Sequence, residues 1–132
     1  MVLEYARNVL SIEDAEHAEY RPDSPALVVT PLSCNLKGRP LDITLSAGDP
    51  TVASIYGTTI ITETYNCSYG IAPIYQAAFD RSGFVQVGSD DTGEARILRL
   101  QGHRFFIAAL FLPQINSVPG DPNKLITAFL EA

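Results

Sequence analysis

Apolar residues recur along the chain with two different periods, and the switches between them divide it into elements. Residues 2–10 carry Leu3, Ala6, Val9 and Leu10 at helical spacing, with Glu4, Arg7 and Asn8 between them, and predict a short amphipathic helix. No Ser, Thr, Asp or Asn stands before it as a cap. The acidic stretch 11–20 (Glu13, Asp14, Glu16, Glu19) predicts a helical turn or an exposed loop, and the prolines of 21–25 a turn. Residues 27–32 read as a short apolar strand, and Leu41, Ile43 and Leu45 alternate with Asp42, Thr44 and Ser46 as in a half-buried one. Asp49 and Pro50 are the cap and first position of a helix over 50–56 that stops at Gly57. The Thr-, Ile- and Tyr-rich stretch 58–69 is extended. Pro73 opens a helix with Ile74, Ala77, Ala78 and Phe79 on one face, closing at Gly83. Residues 84–88 and 96–100 form a hairpin around the turn 90–93. The unbroken apolar run 105–111 has the pattern of a strand buried on both faces. After an irregular loop with Pro119, Asp121 and Pro122 cap a last helix over 123–132, with Leu125, Ile126, Phe129 and Leu130 inward. This order predicts an α/β or α+β domain, with antiparallel pieces attached to a central sheet.

Charge and composition narrow the function. Fifteen Asp and Glu stand against nine Lys and Arg, a net charge of −6. That excludes the basic face a nucleic-acid or anionic-membrane partner requires. At 132 residues and 46% hydrophobic, the chain is long enough to bury one core. The longest apolar run, 105–113, is too short to cross a bilayer, and no signal-peptide pattern follows Met1. Cys34 and Cys67 form no CxxC pair and make no zinc spacing with the two histidines. Two free thiols in a reducing cytoplasm are expected, a disulfide between them being the alternative. No GxxxxGK[ST] loop is present to cradle ATP phosphates. Asp90 and Asp91 read as a solvated turn rather than a metal site, His17 as a solvated residue among carboxylates, and His103 as a structural or capping residue.

Two segments resemble a known family. Leu3-Glu-Tyr-Ala-Arg-Asn-Val-Leu10, with Ile12-Glu-Asp-Ala15 and Glu19-Tyr-Arg-Pro22, is similar to the helix after the nucleophile turn in the glutamine amidotransferase domain of the CTP synthase type, roughly V-I-E-F-A-R-N-V-L-G-L-x-D-A-x-x-x-E-F-x-P. His103-Arg-Phe-Phe-Ile-Ala-Ala-Leu-Phe-Leu-Pro-Gln114, then Ser117 and Pro119, resembles H-P-F-F-V-G-V-Q-F-H-P-E-F-x-S-x-P. Between them, Tyr56-Gly57, Glu63, Tyr69, Gly83, Gly88, Thr92-Gly93-Glu94 and Leu100 fall in the family's order. The resemblance implies the class I amidotransferase fold, a flavodoxin-like three-layer α/β architecture with antiparallel strands added to the central sheet. Residues 1–132 would be the C-terminal portion of that domain, a single partial unit.

The departures bear on chemistry. In the family a Cys at a strand-to-helix elbow attacks the glutamine carboxamide, a His activates it, and a Glu two residues beyond orients the imidazole. The H-P-E motif here reads Leu112-Pro113-Gln114: Leu112 accepts no proton and Gln114 carries no charge. The elbow Cys would precede Met1. The family's E-R-H-R-H-R-Y becomes Glu63-Thr-Tyr-Asn-Cys-Ser-Tyr69, without its Arg and His. The resemblance therefore implies a degenerate amidotransferase without glutamine hydrolysis in this chain. The candidate pocket is Glu63, Tyr65, Cys67 and Tyr69, taking a small amide ligand such as glutamine, with no cofactor and no metal. Two alternatives stand beside it. One is an active amidohydrolase or transferase using an upstream Cys with a base foreign to the family. The other is a regulatory module of pyrimidine nucleotide biosynthesis, pairing with a synthetase subunit or with itself. If strands upstream are missing, the apolar surfaces of 27–32 and 105–111 are expected to be exposed or buried by self-association.

Overall fold

In the computed structural model, residues 1–32 and 35–132 are described; Cys34 and its proposed disulfide lie outside them. Helix α1, Val2–Asn8, turns Tyr5 and Ala6 inward and has no side-chain cap, as its sequence predicts. The chain leaves it through Ser11, which takes a left-handed backbone (φ 58°). Residues expected as a turn or loop then form β1, Ala15–His17, which pairs in parallel with β2, Ala26–Pro31. Three residues without an apolar alternation carry no strand signal. The neighbouring strand supplies the pairing.

β3, Pro40–Leu45, buries Ile43 and Leu45 as its alternation requires. Helix α2, Thr51–Tyr56, starts one residue later than expected: Pro50 takes the capping position, and Asp49 accepts from the Thr51 N–H at 3.2 Å. Gly57 ends it in the left-handed region (φ 73°), where a Cβ would be strained. Next come β4, Ile60–Thr64, β5, Tyr69–Ile71, and α3, Pro73–Arg81. The apolar face assigned to α3 is corrected. Ile74 is 81% exposed and Ala77 also faces solvent, while Phe79 is fully buried and Tyr75 packs beside it. Helical rotation brings 75 and 79 inward together, and 74 falls outside that arc.

β6, Phe84–Ser89, and β7, Ala95–Leu100, form the expected hairpin. A register shift around Gly88 brings that glycine close to Ile43 and Ile97; a Cβ would lie 3.0 Å from the first. The doubly buried strand expected over 105–111 is shorter and less covered. Only β8, Ile107–Ala109, pairs, as an edge strand whose residues are all half-buried. A 3-10 turn follows over Pro113–Asn116, then α4, Lys124–Glu131. Its cap is Asn123, whose side chain accepts from the Leu125 N–H at 2.9 Å, and not Asp121. Leu125 is buried, but Phe129 and Leu130 are exposed, contrary to the inward face predicted for them.

The strands make a three-stranded sheet, β1-β2-β5, and an antiparallel five-stranded sheet, β4-β3-β6-β7-β8. One core gathers Ile43, Val52, Tyr65, Val87, Ile97, Phe111 and Leu125; a second gathers Tyr5, Ala15, Val28, Phe79, Phe84 and Leu98. Successive residues Ile97 and Leu98 belong to different cores, so the β6–β7 hairpin has one core on each face.

Candidate functional site

The residues singled out in the sequence do not gather in one pocket. Glu63 on β4 points inward and is 2% exposed. Its Oε1 accepts from Asn123 Nδ2 at 2.7 Å and from the Tyr56 hydroxyl at 2.9 Å, and its Oε2 accepts from Asn116 Nδ2 at 2.6 Å. Three donors from α2, the 112–117 turn and the cap of α4 thus hold one carboxylate. This satisfies a charge that burial would otherwise make costly. Burial, reinforced by the Glu63 charge, pushes the Tyr56 hydroxyl well above its ordinary pKa. It therefore stays protonated as a donor.

Tyr65, two residues on, is fully buried, and its hydroxyl has no partner among the described residues. Its ring packs edge-on to Phe111 and lies under the guanidinium of Arg96, 5.7 Å from the ring centroid. Arg96 on β7 is 1% exposed. Its Nε donates to Asp90 Oδ2 at 3.1 Å, and its Nη2 to the same oxygen and to Glu94 Oε2 at 2.8 Å; Nη1 has no partner. Asp90 is therefore the anchor of a buried ion pair, which corrects its reading as a solvated turn residue. Its other oxygen accepts from the Thr92 hydroxyl and the Thr92 and Glu94 N–H groups. Burial works against the Asp90 carboxylate, but the Thr92 and Arg96 hydrogen bonds outweigh it and hold the pKa below its usual value.

Cys67 and Tyr69 lie in a different environment. The Cys67 thiol is half-buried, and among the described residues it hydrogen-bonds with the Tyr69 backbone, 3.4 Å from its N–H. The Tyr69 ring, on β5, packs against His17, with centroids 4.6 Å apart. His17 sits in β1 with Tyr20 against its ring, and its Nδ1 accepts from the Glu19 N–H at 3.1 Å. It is an ordered element of this aromatic group rather than a freely solvated residue. His103 is exposed and accepts from the Phe105 N–H at 3.2 Å, a capping role. Among the described residues no Cys–His hydrogen bond forms, and no group of His, Cys, Asp and Glu is arranged to hold a metal ion.

Leu112 and Gln114 flank Pro113 at the start of the 3-10 turn. Both face solvent, Leu112 at 37% exposure. The turn is fixed by Ser117, whose hydroxyl donates to the Pro113 carbonyl at 3.2 Å and accepts from the Asn123 N–H at 2.9 Å. The structure thus joins Glu63 to the 112–117 turn through Asn116 and Asn123, a link sequence spacing did not reveal. The Arg96 ion pair was equally missed. Its signal was an arginine inside an apolar strand with three carboxylates within six residues, of which it binds Asp90 and Glu94. Among the described residues no helix is long and apolar enough to cross a membrane.

Comparison with known proteins places this geometry. No protein-family profile matches the chain. A CTP synthase of Methanothrix thermoacetophila is 34% identical over 140 residues, covering 99% of this chain and 25% of that protein. One of Rippkaea orientalis is 30% identical over 140 residues, covering 99% and 26%. The solved glutaminase domain of Trypanosoma brucei CTPS, with bound acivicin, superposes with a TM-score of 0.89 at 25% identity, over 98% of this chain and 54% of that one. The fold is therefore that of a glutaminase domain, a mixed α/β architecture. Within that class the chain is homologous to CTP synthase, and it spans about a quarter of the length of the curated relatives it matches.

Proposed function

We propose that this chain is a glutaminase-type domain that does not itself hydrolyse glutamine, and that it serves by holding a small amide ligand or a synthetase partner. The observation that carries the reading is Leu112, a hydrocarbon side chain at the position where the family motif has its base, with uncharged Gln114 two residues on. The two histidines support it. The Nδ1 of each is engaged by a backbone N–H of its own turn, and neither is hydrogen-bonded to Cys67. The reading does not depend on the residue before Met1, because Leu112 takes a proton from no nucleophile. Loss of the base costs on the order of 10³ to 10⁶ in rate in related triads. Incubation of the full-length protein with glutamine should release ammonia no faster than buffer alone. Turnover like that of an ordinary glutaminase would overturn the proposal and favour an upstream nucleophile with a foreign base.

Pairing with a synthetase is the second reading. It is favoured by Leu112, Ile115, Val118, Phe129 and Leu130, all exposed on the turn, loop and helix that close the chain. Co-purification with a synthetase subunit supports this reading, and a monomer that captures no such subunit counts against it.

A further inference from the structure

A cleft of about 240 Å³ opens between the start of α3 and the β6–β7 hairpin, away from Leu112 and Gln114. Its apolar wall is Leu32, Ile71, Pro73 and Ala95, and its polar lining includes Gln76, Gln86 and Glu94. The hydrogen bonds already made decide which groups are left for a ligand. Gln76 donates its Nε2 to the Asp80 carboxylate at 3.2 Å, and Gln86 donates its Nε2 to the Gly93 carbonyl at 3.2 Å. Both partners are acceptors only, so the amide orientations are fixed, and each side chain keeps its Oε1 and the second hydrogen of its Nε2. Glu94 gives Oε2 to Arg96 and keeps Oε1. Arg96 itself is buried and does not line the cleft. Pro73 brings no N–H to the helix end that faces it. The lining therefore offers side-chain acceptors at the two glutamine Oε1 atoms, at Glu94 Oε1 and at the Thr92 hydroxyl, whose own proton goes to Asp90, and Glu94 is its one charged group.

We propose that this cleft binds a small organic cation, an amidinium or ammonium head on a short apolar body. The head donates to Glu94, Gln76 and Gln86, and the body lies on Leu32, Ile71, Pro73 and Ala95. The volume is below the roughly 300–1,000 Å³ usual for drug-sized ligands, which restricts the occupant to a small molecule. The chain's net charge of −6 favours a cation over an anion.

Benzamidine is the probe, titrated into the whole isotope-labelled protein and followed by backbone amide shifts. Saturable shifts are expected at Ile71, Gln76, Gln86, Gly93 and Ala95, with a dissociation constant on the order of 1 mM for so small a ligand. Benzoate, with the same ring and the opposite charge, should leave these amides unmoved. Glu94→Gln should weaken benzamidine about tenfold, the value of a charge-assisted hydrogen bond. Gln76→Leu, on the exposed helix and away from the ion pair, should weaken it severalfold and stands in if Glu94→Gln fails to fold. No saturable shift by about 20 mM, twenty times the expected constant, would overturn the proposal. So would equal binding of benzoate, or affinity unchanged in the folded variants. Glutamine hydrolysis plays no part in the readout, so this result and the ammonia assay fail independently.

Discussion

At the scale of single residues, the interior is organised around two charges. Glu63 has a donor for each of its oxygens, whereas Arg96 Nη1 and the Tyr65 hydroxyl have no partner among the described residues. Removing Asp90 strips Arg96 of its main partner and leaves only Glu94. Asp90→Asn should therefore cost about 3 kcal/mol in urea unfolding, the lower end for breaking a buried pair. The same carboxylate sets an acid limit. Its native pKa is depressed, as is that of Asp49, where burial is outweighed by hydrogen bonds from Thr51 and Arg99. Such groups contribute stability above their unfolded pKa and lose it as the pH falls through the native one. The unfolding midpoint should thus drop as the pH is lowered below about 4, and Asp90→Asn should flatten that drop. Tyr65→Phe removes a hydroxyl that has no partner. It should leave the melting temperature unchanged or raise it, by up to about 2 kcal/mol in stability; a lower melting temperature would mean that the hydroxyl is satisfied.

At the scale of elements, local punctuation was legible and tertiary pairing was not. Asp49, Pro50 and Gly57 mark α2 to within one residue, because a capping carboxylate, a fixed φ and a left-handed stop act within the chain's own neighbourhood. The β6–β7 hairpin was legible for the same reason. β1 was missed because its three residues are a strand only through β2, and the run 105–111 was over-read because apolar composition does not report how much of a segment finds a partner. The sequence offered Leu112 and Gln114 as candidate positions and gave no sign of the polar network joined to their turn. Asn123 carries that network: it caps α4 and bonds both Tyr56 and Glu63. Asn123→Ala should cost about 2–4 kcal/mol, a cap plus a charge-assisted hydrogen bond to Glu63. It should also speed amide exchange in the 112–117 turn, whose Asn116 is tied to the same Glu63 carboxylate that the Asn123 side chain holds.

At the scale of the whole molecule, the chain has the fold of a glutaminase domain, and fold alone does not carry function. Phe129 and Leu130 are exposed on α4, and neither lines the cleft beside Glu94. The β6–β7 hairpin has a further consequence. With Phe84 and Leu98 facing one core and Val87 and Ile97 the other, the two apolar clusters share a common wall. Neither can melt while the other keeps that wall in place. Heat should therefore produce a single calorimetric peak whose van't Hoff and calorimetric enthalpies agree. A pair of resolved peaks would show the cores to be independent. The hairpin thus acts as a party wall between two rooms: a defect on either side lowers the melting point of the whole house.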